Sequence, residues 1–183
     1  TYLHVKGLAF RHSNVSSYIQ IGYAVEIGDY GLIEDCDVQW SDFGGLKIRQ
    51  GTIARNCNIK NNGAVGIEVN GMQTTDPYDF EISHNRISGN NYRSFNPSWH
   101  AGGIKLTTNA NGKVINNEIN NNHGTGVWCD GCSSGQPIHV SGNYIHDNRT
   151  TYGGALLGEG VHIEISDHAR VINNVIANYG VRG

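Results

Sequence analysis

The sequence predicts an all-β fold, a single-stranded parallel β-helix solenoid of about seven coils. Three observations carry that prediction. A V-x-x-N-x-I unit recurs along the chain, a Gly-apolar-x-apolar unit is interleaved with it, and 25 Gly and 22 Asn stand among the 183 residues. The first unit is complete in Ile82…Asn85…Ile87, Val114…Asn117…Ile119, Val140…Asn143…Ile145 and Val171…Asn174…Ile176. Degenerate copies precede it, as Val5…Leu8…Phe10, Ile33…Cys36…Val38 and Ala54…Cys57…Ile59. Their closing apolar positions lie 28, 21, 28, 32, 26 and 31 residues apart. The second unit begins as Ala24-Val25-Glu26-Ile27 and recurs at Gly45, Gly66, Gly103, Gly126 and Gly160.

Each repeat therefore holds two or three short alternating strands broken by Gly and Asn. Strands this short bury no face alone, so neighbouring repeats must stack and share one core. Alternation points Val25, Leu46, Ile67, Ile104, Val127 and Val161 inward and the residue after each outward. A β-sandwich would need hairpin turns between consecutive strands and gives no reason for same-sense repetition. Asn85, Asn117, Asn143 and Asn174 fall at one point of the repeat, and Asn62, Asn90, Asn122 and Asn148 at a second. Stacked on successive coils, such amides can bond one another and the turn backbone. Insertions are expected at 71–79, 90–101, 131–137 and 150–158, where the spacing stretches.

Composition sets the outer bounds. Charged residues make up 16 % of the chain, against about 25 % in ordinary soluble domains, which disfavours long surface helices. Thirteen basic and 16 acidic residues leave no basic footprint for nucleic acid. No apolar run approaches the roughly 18 residues of a membrane-spanning helix. A chain that starts at Thr1 and closes in mid-pattern at Gly183 reads as one domain, 1–183, excised from a longer multidomain secreted protein.

Four cysteines permit two disulfides in an oxidising compartment. Cys36 and Cys57 take the Asn position on adjacent coils, about 4.8 Å apart, and form either a disulfide or two buried thiols. Cys129-Asp130-Gly131-Cys132 has CxxC spacing but no second CxxC to complete a zinc site. It is read as a small disulfide pinning the 131–137 loop.

Two outward columns follow from aligning the coils. The first is Glu26, Lys47, Glu68, Lys105, Trp128 and His162; the second is Gly28, Arg49, Asn70, Thr107, Asp130 and Glu164. The alternating signs of Glu26, Lys47, Glu68 and Lys105 have a sufficient structural explanation as a cross-strand charge ladder. Trp128, by contrast, is an outward indole with no core duty, which marks a binding feature. Asp130 and Glu164 fall on adjacent coils. As neighbouring carboxylates they suit a calcium ion, a general acid and its partner in glycoside hydrolysis, or plain solvation with Lys105 neutralising them, the reading favoured here. Tyr78, Tyr92, Phe95, Trp99, His100 and Tyr152 lie in or beside the insertions, and flat rings are what a sugar's apolar face stacks against.

The units Val114-Ile115-Asn116-Asn117-Glu118-Ile119 and Gly66-Ile67-Glu68-Val69-Asn70 resemble the right-handed parallel β-helix repeats of the pectate-lyase-like superfamily, over essentially the whole chain. That resemblance implies extracellular carbohydrate work by lyases, glycosidases, uronate epimerases, phage tailspikes or non-catalytic binding modules of plant-cell-wall enzymes such as xylanases. Asp76-Pro77-Tyr78-Asp79 is similar to the Asp-Pro-His-Asp segment of mannuronan epimerases, with Tyr in place of His. Lyases of this fold use Lys or Arg as base, which makes Lys105 and Arg49 candidates, although they lie two coils apart and in different columns. The leading expectation is a non-catalytic module, without a resident cofactor, that binds a cell-wall polysaccharide of xylan type and is tethered to a catalytic domain. Trp128, Trp99, Tyr92, Tyr78 and Tyr152 would stack on sugar rings, and Asp130, Glu164, His162, Lys105 and Arg49 would bond hydroxyls. The alternative is a lyase or glycoside hydrolase on the same face, using Lys105, Asp130 and Glu164; the third is an adhesin or tailspike segment.

Overall fold

A computed structural model describes residues 2–14, 22–70, 79–132, 137–181 and 183. Three parallel sheets run the length of the chain, two of seven strands and one of six. Each coil but the last contributes one strand to each, as Glu81–Ser83, Arg86–Ser88 and Gly102–Thr107 do in turn. We call the sheets A, B and C in that order. Every neighbour in a sheet is the equivalent strand of the next coil, so the expected β-helix is the observed fold. Stacking also sets register without exception: Ile59 pairs with Ile87 and Ile87 with Ile119 in sheet B.

The inward positions make one continuous core. Ile33, Leu46, Ile59, Ile67, Ile82, Ile87, Ile104 and Ile119 are all buried, and each contributes roughly 1.5–3 kcal/mol by leaving water. Two tight corners bring the chain round. Between sheets A and B a single residue takes the left-handed conformation in every coil: Gly7, Asp35, Asn56, His84, Asn116, Gly142 and Asn173. Between B and C the same role falls to His12, Trp40, Asn61, Gly89, Asn121, Asp147 and Asn178. Asn, Asp and Gly dominate because they tolerate this region best.

Directly after each corner stands the ladder residue. Asn117 accepts the Asn85 backbone N–H at 2.9 Å and the Asn85 side-chain amide at 3.1 Å on its Oδ1. Its own Nδ2 donates to the Ile82 carbonyl at 2.9 Å and to the Asn143 Oδ1 at 3.0 Å. Asn85, Asn143 and Asn174 continue the pattern, and Asn62, Asn90, Asn122 and Asn148 repeat it at the second corner. The glycine of the Gly-apolar-x-apolar unit is explained by the same ladder. A Cβ on Gly66 would stand 2.7 Å from the Asn90 Nδ2 and 2.7 Å from the Gly103 carbonyl.

Two expectations are corrected. All four cysteines are free and buried, which corrects the Cys129–Cys132 disulfide and selects the buried-thiol alternative for Cys36 and Cys57. Cys36 and Cys57 fill the ladder position as thiols, donating to the Glu34 and Arg55 carbonyls at 3.1 and 3.2 Å. Burial pushes the Cys57 thiol up to about 12. Cys132, which was to pin a loop to Cys129, instead has its N–H bonded to the Ser166 hydroxyl at 2.9 Å. The 150–158 insertion, expected as a loop, is an antiparallel hairpin of Thr150–Tyr152 and Ala155–Leu157. Gly153 and Gly154 both take positive φ at its two-residue turn, which hairpin twist requires.

On the outer face of sheet A, Glu34 accepts from Lys6 at 2.9 Å and Arg55 at 2.8 Å and lies 3.1 Å from His4. Lys6 and Arg55 hold its carboxyl down at about 2, against an ordinary 4.5. A depressed carboxyl contributes stability that is complete above its unfolded pKa and lost as pH falls through the folded one. Denaturant unfolding followed from pH 4.5 to 2 should therefore show a loss that is smaller in Glu34→Gln. Asn117→Ala should cost about 3 kcal/mol in the same assay, since it orphans two buried donors and a carbonyl. Asn116→Gly, at the preceding corner, should change little.

Candidate functional site

Sheet C carries both outward columns in the expected register. Lys47 pairs with Glu68, Glu68 with Lys105, Lys105 with Trp128 and Trp128 with His162. Asn70, Thr107, Asp130 and Glu164 align beside them. What the register does not supply is the covering. The insertion after Arg86–Ser88 reaches the outer face of sheet C, where His100 meets Glu68 and Trp99 lines a cleft beside Lys47 and Lys105. It is anchored by Asn91, whose amide donates to the Phe95 and His123 carbonyls at 2.9 and 2.7 Å. Phe95 packs edge-on against Phe43, and His100 stacks on the same ring at 5.6 Å. Phe43, Ala64 and Ala101 form a small second core beneath it.

Two clefts flank this insertion. The larger, about 690 Å³, is lined by Tyr23, Lys47, Glu68, Asn70, Trp99, His100, Lys105, Thr107 and Asp130. The smaller, about 200 Å³, is lined by Pro97, Ser98, Trp128, Glu159, His162 and Glu164 among others. The floor of the larger cleft is ionic and largely buried. Glu68 is 4 % exposed, accepts the Tyr23 hydroxyl, and has the His100 Nε2 at 2.7 Å and the Lys47 Nζ at 3.7 Å. Lys105 is 2 % exposed, donates to Asp130 at 2.9 Å and lies 3.2 Å from the centre of the Trp128 ring. Burial lowers the pKa of both lysines, more than their carboxylate neighbours restore.

The charge ladder is corrected accordingly. Only Lys47 and Glu68 approach each other within the column, and loosely. Glu26 turns to Arg49 at 2.6 Å and Lys105 to Asp130. Trp128 is corrected too: it points off the sheet but is only 6 % exposed. It stacks on His162 with rings 5.1 Å apart and 2° from parallel, and its Nε1 donates to Glu164 at 3.1 Å. Asp130 and Glu164 are thus adjacent carboxylates with different partners. Among the described residues no group of three or more His, Cys, Asp or Glu stands together to hold a metal ion.

Of the expected ligand contacts, Lys105, Asp130 and Trp99 meet in the larger cleft, and Trp128, His162 and Glu164 in the smaller. Trp99 is 54 % exposed at the cleft wall. Arg49 and Tyr152 line neither, and Tyr92 pairs with Trp40 elsewhere. Tyr78 and its Asp-Pro-Tyr-Asp segment lie outside the described residues. Sequence reasoning missed Tyr23, Lys47, Glu68, Asn70 and, as a partner of Glu68, His100. The available signal was a Glu and two Lys in one column above the longest gap between repeats, where an inserted segment would meet them.

The chain matches the family model described as right handed beta helix region over residues 4–182. It therefore belongs to the right-handed parallel β-helix family. No curated protein and no solved structure matches it.

Removing one member of a buried ion pair is costly because it strands the other charge, but here the partner Asp130 is 35 % exposed and can regain water, while the lysine's own burial cost is relieved. Lys105→Met is therefore expected to shift unfolding free energy by less than about 1 kcal/mol, or to raise it. A loss of several kcal/mol in denaturant titration would instead make Lys105 a structural ion.

Proposed function

We propose that the larger cleft of sheet C binds a polysaccharide, of the cell-wall xylan type, in a secreted protein where this domain serves a catalytic neighbour. One observation carries the reading: a half-exposed Trp99 stands over a floor of fixed, paired charges. A pyranose offers an apolar face and a rim of hydroxyls. Trp99 suits the face, and Lys105, Asp130, Asn70 and Thr107 offer donors and acceptors to the rim at no cost of fresh ordering, because Lys105 and Asp130 already hold each other. Trp128 contributes at second hand, as the ring that fixes Lys105.

A second reading, cleavage of the bound polymer, is favoured by a different observation. His100 has its Nε2 2.7 Å from the buried Glu68 carboxylate without a hydrogen bond joining them, which leaves that nitrogen a candidate for proton exchange with a bound substrate.

Affinity electrophoresis against xylan, β-glucan, pectin and alginate separates these outcomes. The protein should be retarded by at least one polymer, and Trp99→Ala should abolish the retardation while leaving the fold intact. Free migration through all four would sink the binding reading. New reducing ends or ultraviolet-absorbing unsaturated uronates, lost in His100→Ala, would establish cleavage.

A further inference from the structure

The corner between sheets B and C holds a residue that the fold does not ask for. Its seven occupants are His12, Trp40, Asn61, Gly89, Asn121, Asp147 and Asn178, all at φ between 51 and 64. Six are small, polar or both, as a left-handed corner favours. Trp40 is the exception, and a bulky side chain at positive φ is the least favourable choice there. Packing does not explain it, because Trp40 remains 42 % exposed and belongs to neither core cluster.

Among the described residues its ring neighbour is equally placed. Tyr92, in the insertion that walls the larger cleft, meets Trp40 edge to face at 5.6 Å and is itself 40 % exposed. Two residues beyond Trp40 stands Asp42, and next to Tyr92 stands Arg93. The two are joined by an ion pair at 3.1 Å, with the Asp42 carbonyl also 3.4 Å from the Arg93 guanidinium. An open ring surface beside a fixed Asp–Arg pair suits a sugar, which needs a flat apolar contact and hydroxyl partners together. A protein partner would call for a broader apolar patch than two rings in polar surroundings supply.

We infer that Trp40 and Tyr92 form a second pyranose-binding platform, separate from the cleft, that engages another ring of the same polysaccharide. The inference rests on the glycan-binding reading of the cleft. It adds that the insertion carries aromatic contacts at both of its ends, Tyr92 at one and Trp99 at the other, so a long chain is held twice. Two weak contacts on one polymer raise affinity by effective concentration, which a short oligosaccharide cannot exploit.

The test uses Trp40→Asn, the residue found at the same corner in three other coils. Thermal unfolding of this variant should match or exceed wild type, because Asn accepts the left-handed conformation better than Trp. Its retardation by the polymer that retains wild type should fall by roughly tenfold in apparent affinity, while titration with the matching trisaccharide should be unchanged. Tyr92→Ser should behave likewise. Unchanged polymer retention in both variants would overturn the platform and leave the cleft reading standing. So would an unfolding midpoint lowered by Trp40→Asn, since Trp40 would then be structural. If wild type migrates freely through every polymer, the cleft reading fails and the platform with it.

Discussion

A side-chain amide that bonds the backbone of the coil before it and the amide of the coil after it is the interaction on which this molecule depends. Coils turn sharply, and each sharp turn leaves buried N–H and C=O groups that the sheets cannot reach. The two Asn ladders satisfy them, at 2.8 to 3.1 Å for Asn85, Asn117, Asn143 and Asn174 along the first. Every rung is both donor and acceptor, and each inner rung holds the residues before and after it. The sheets inherit their register from this arrangement, and the outward columns inherit theirs from the sheets.

Upon that frame the larger cleft places charges where water is scarce. Burying Glu68 and Lys105 costs several kcal/mol for each ion unless partners compensate. Here partners arrive from three sources: the neighbouring strand (Lys47, Asp130), the far edge of the sheet (Tyr23) and the insertion (His100). The insertion thereby does two jobs. It meets the column at Glu68 through His100, and it brings Trp99 to the rim.

What could be read in the sequence and what could not divide along a physical line. Val25, Leu46, Ile67, Ile104 and Val127 were legible as core because alternation and repetition are local rules that each coil obeys. The Asn ladders were legible for the same reason. Trp128, outward by alternation, is buried between Lys105 and His162 of the neighbouring coils, and the insertion is not periodic, so nothing in the repeat says that this segment reaches the face of sheet C. The same segment converts Glu68 from a rung in a surface charge ladder to the centre of a polar cluster. Spacing alone left Cys36 and Cys57 open between a disulfide and two buried thiols, and a thiol facing a nearby carbonyl serves the ladder position unoxidised. Trp40 passed unnoticed because a Trp in sequence carries no mark of its φ.

Parallel stacking also gives the molecule a graduated edge. Equivalent side chains on successive coils stand about 4.8 Å apart, so the outer face of sheet C is marked off at fixed intervals like a ruler. Lys47, Glu68, Lys105, Trp128 and His162 occupy consecutive marks. Changing the residue at a mark alters the contact made there; moving the mark would require rebuilding the coil.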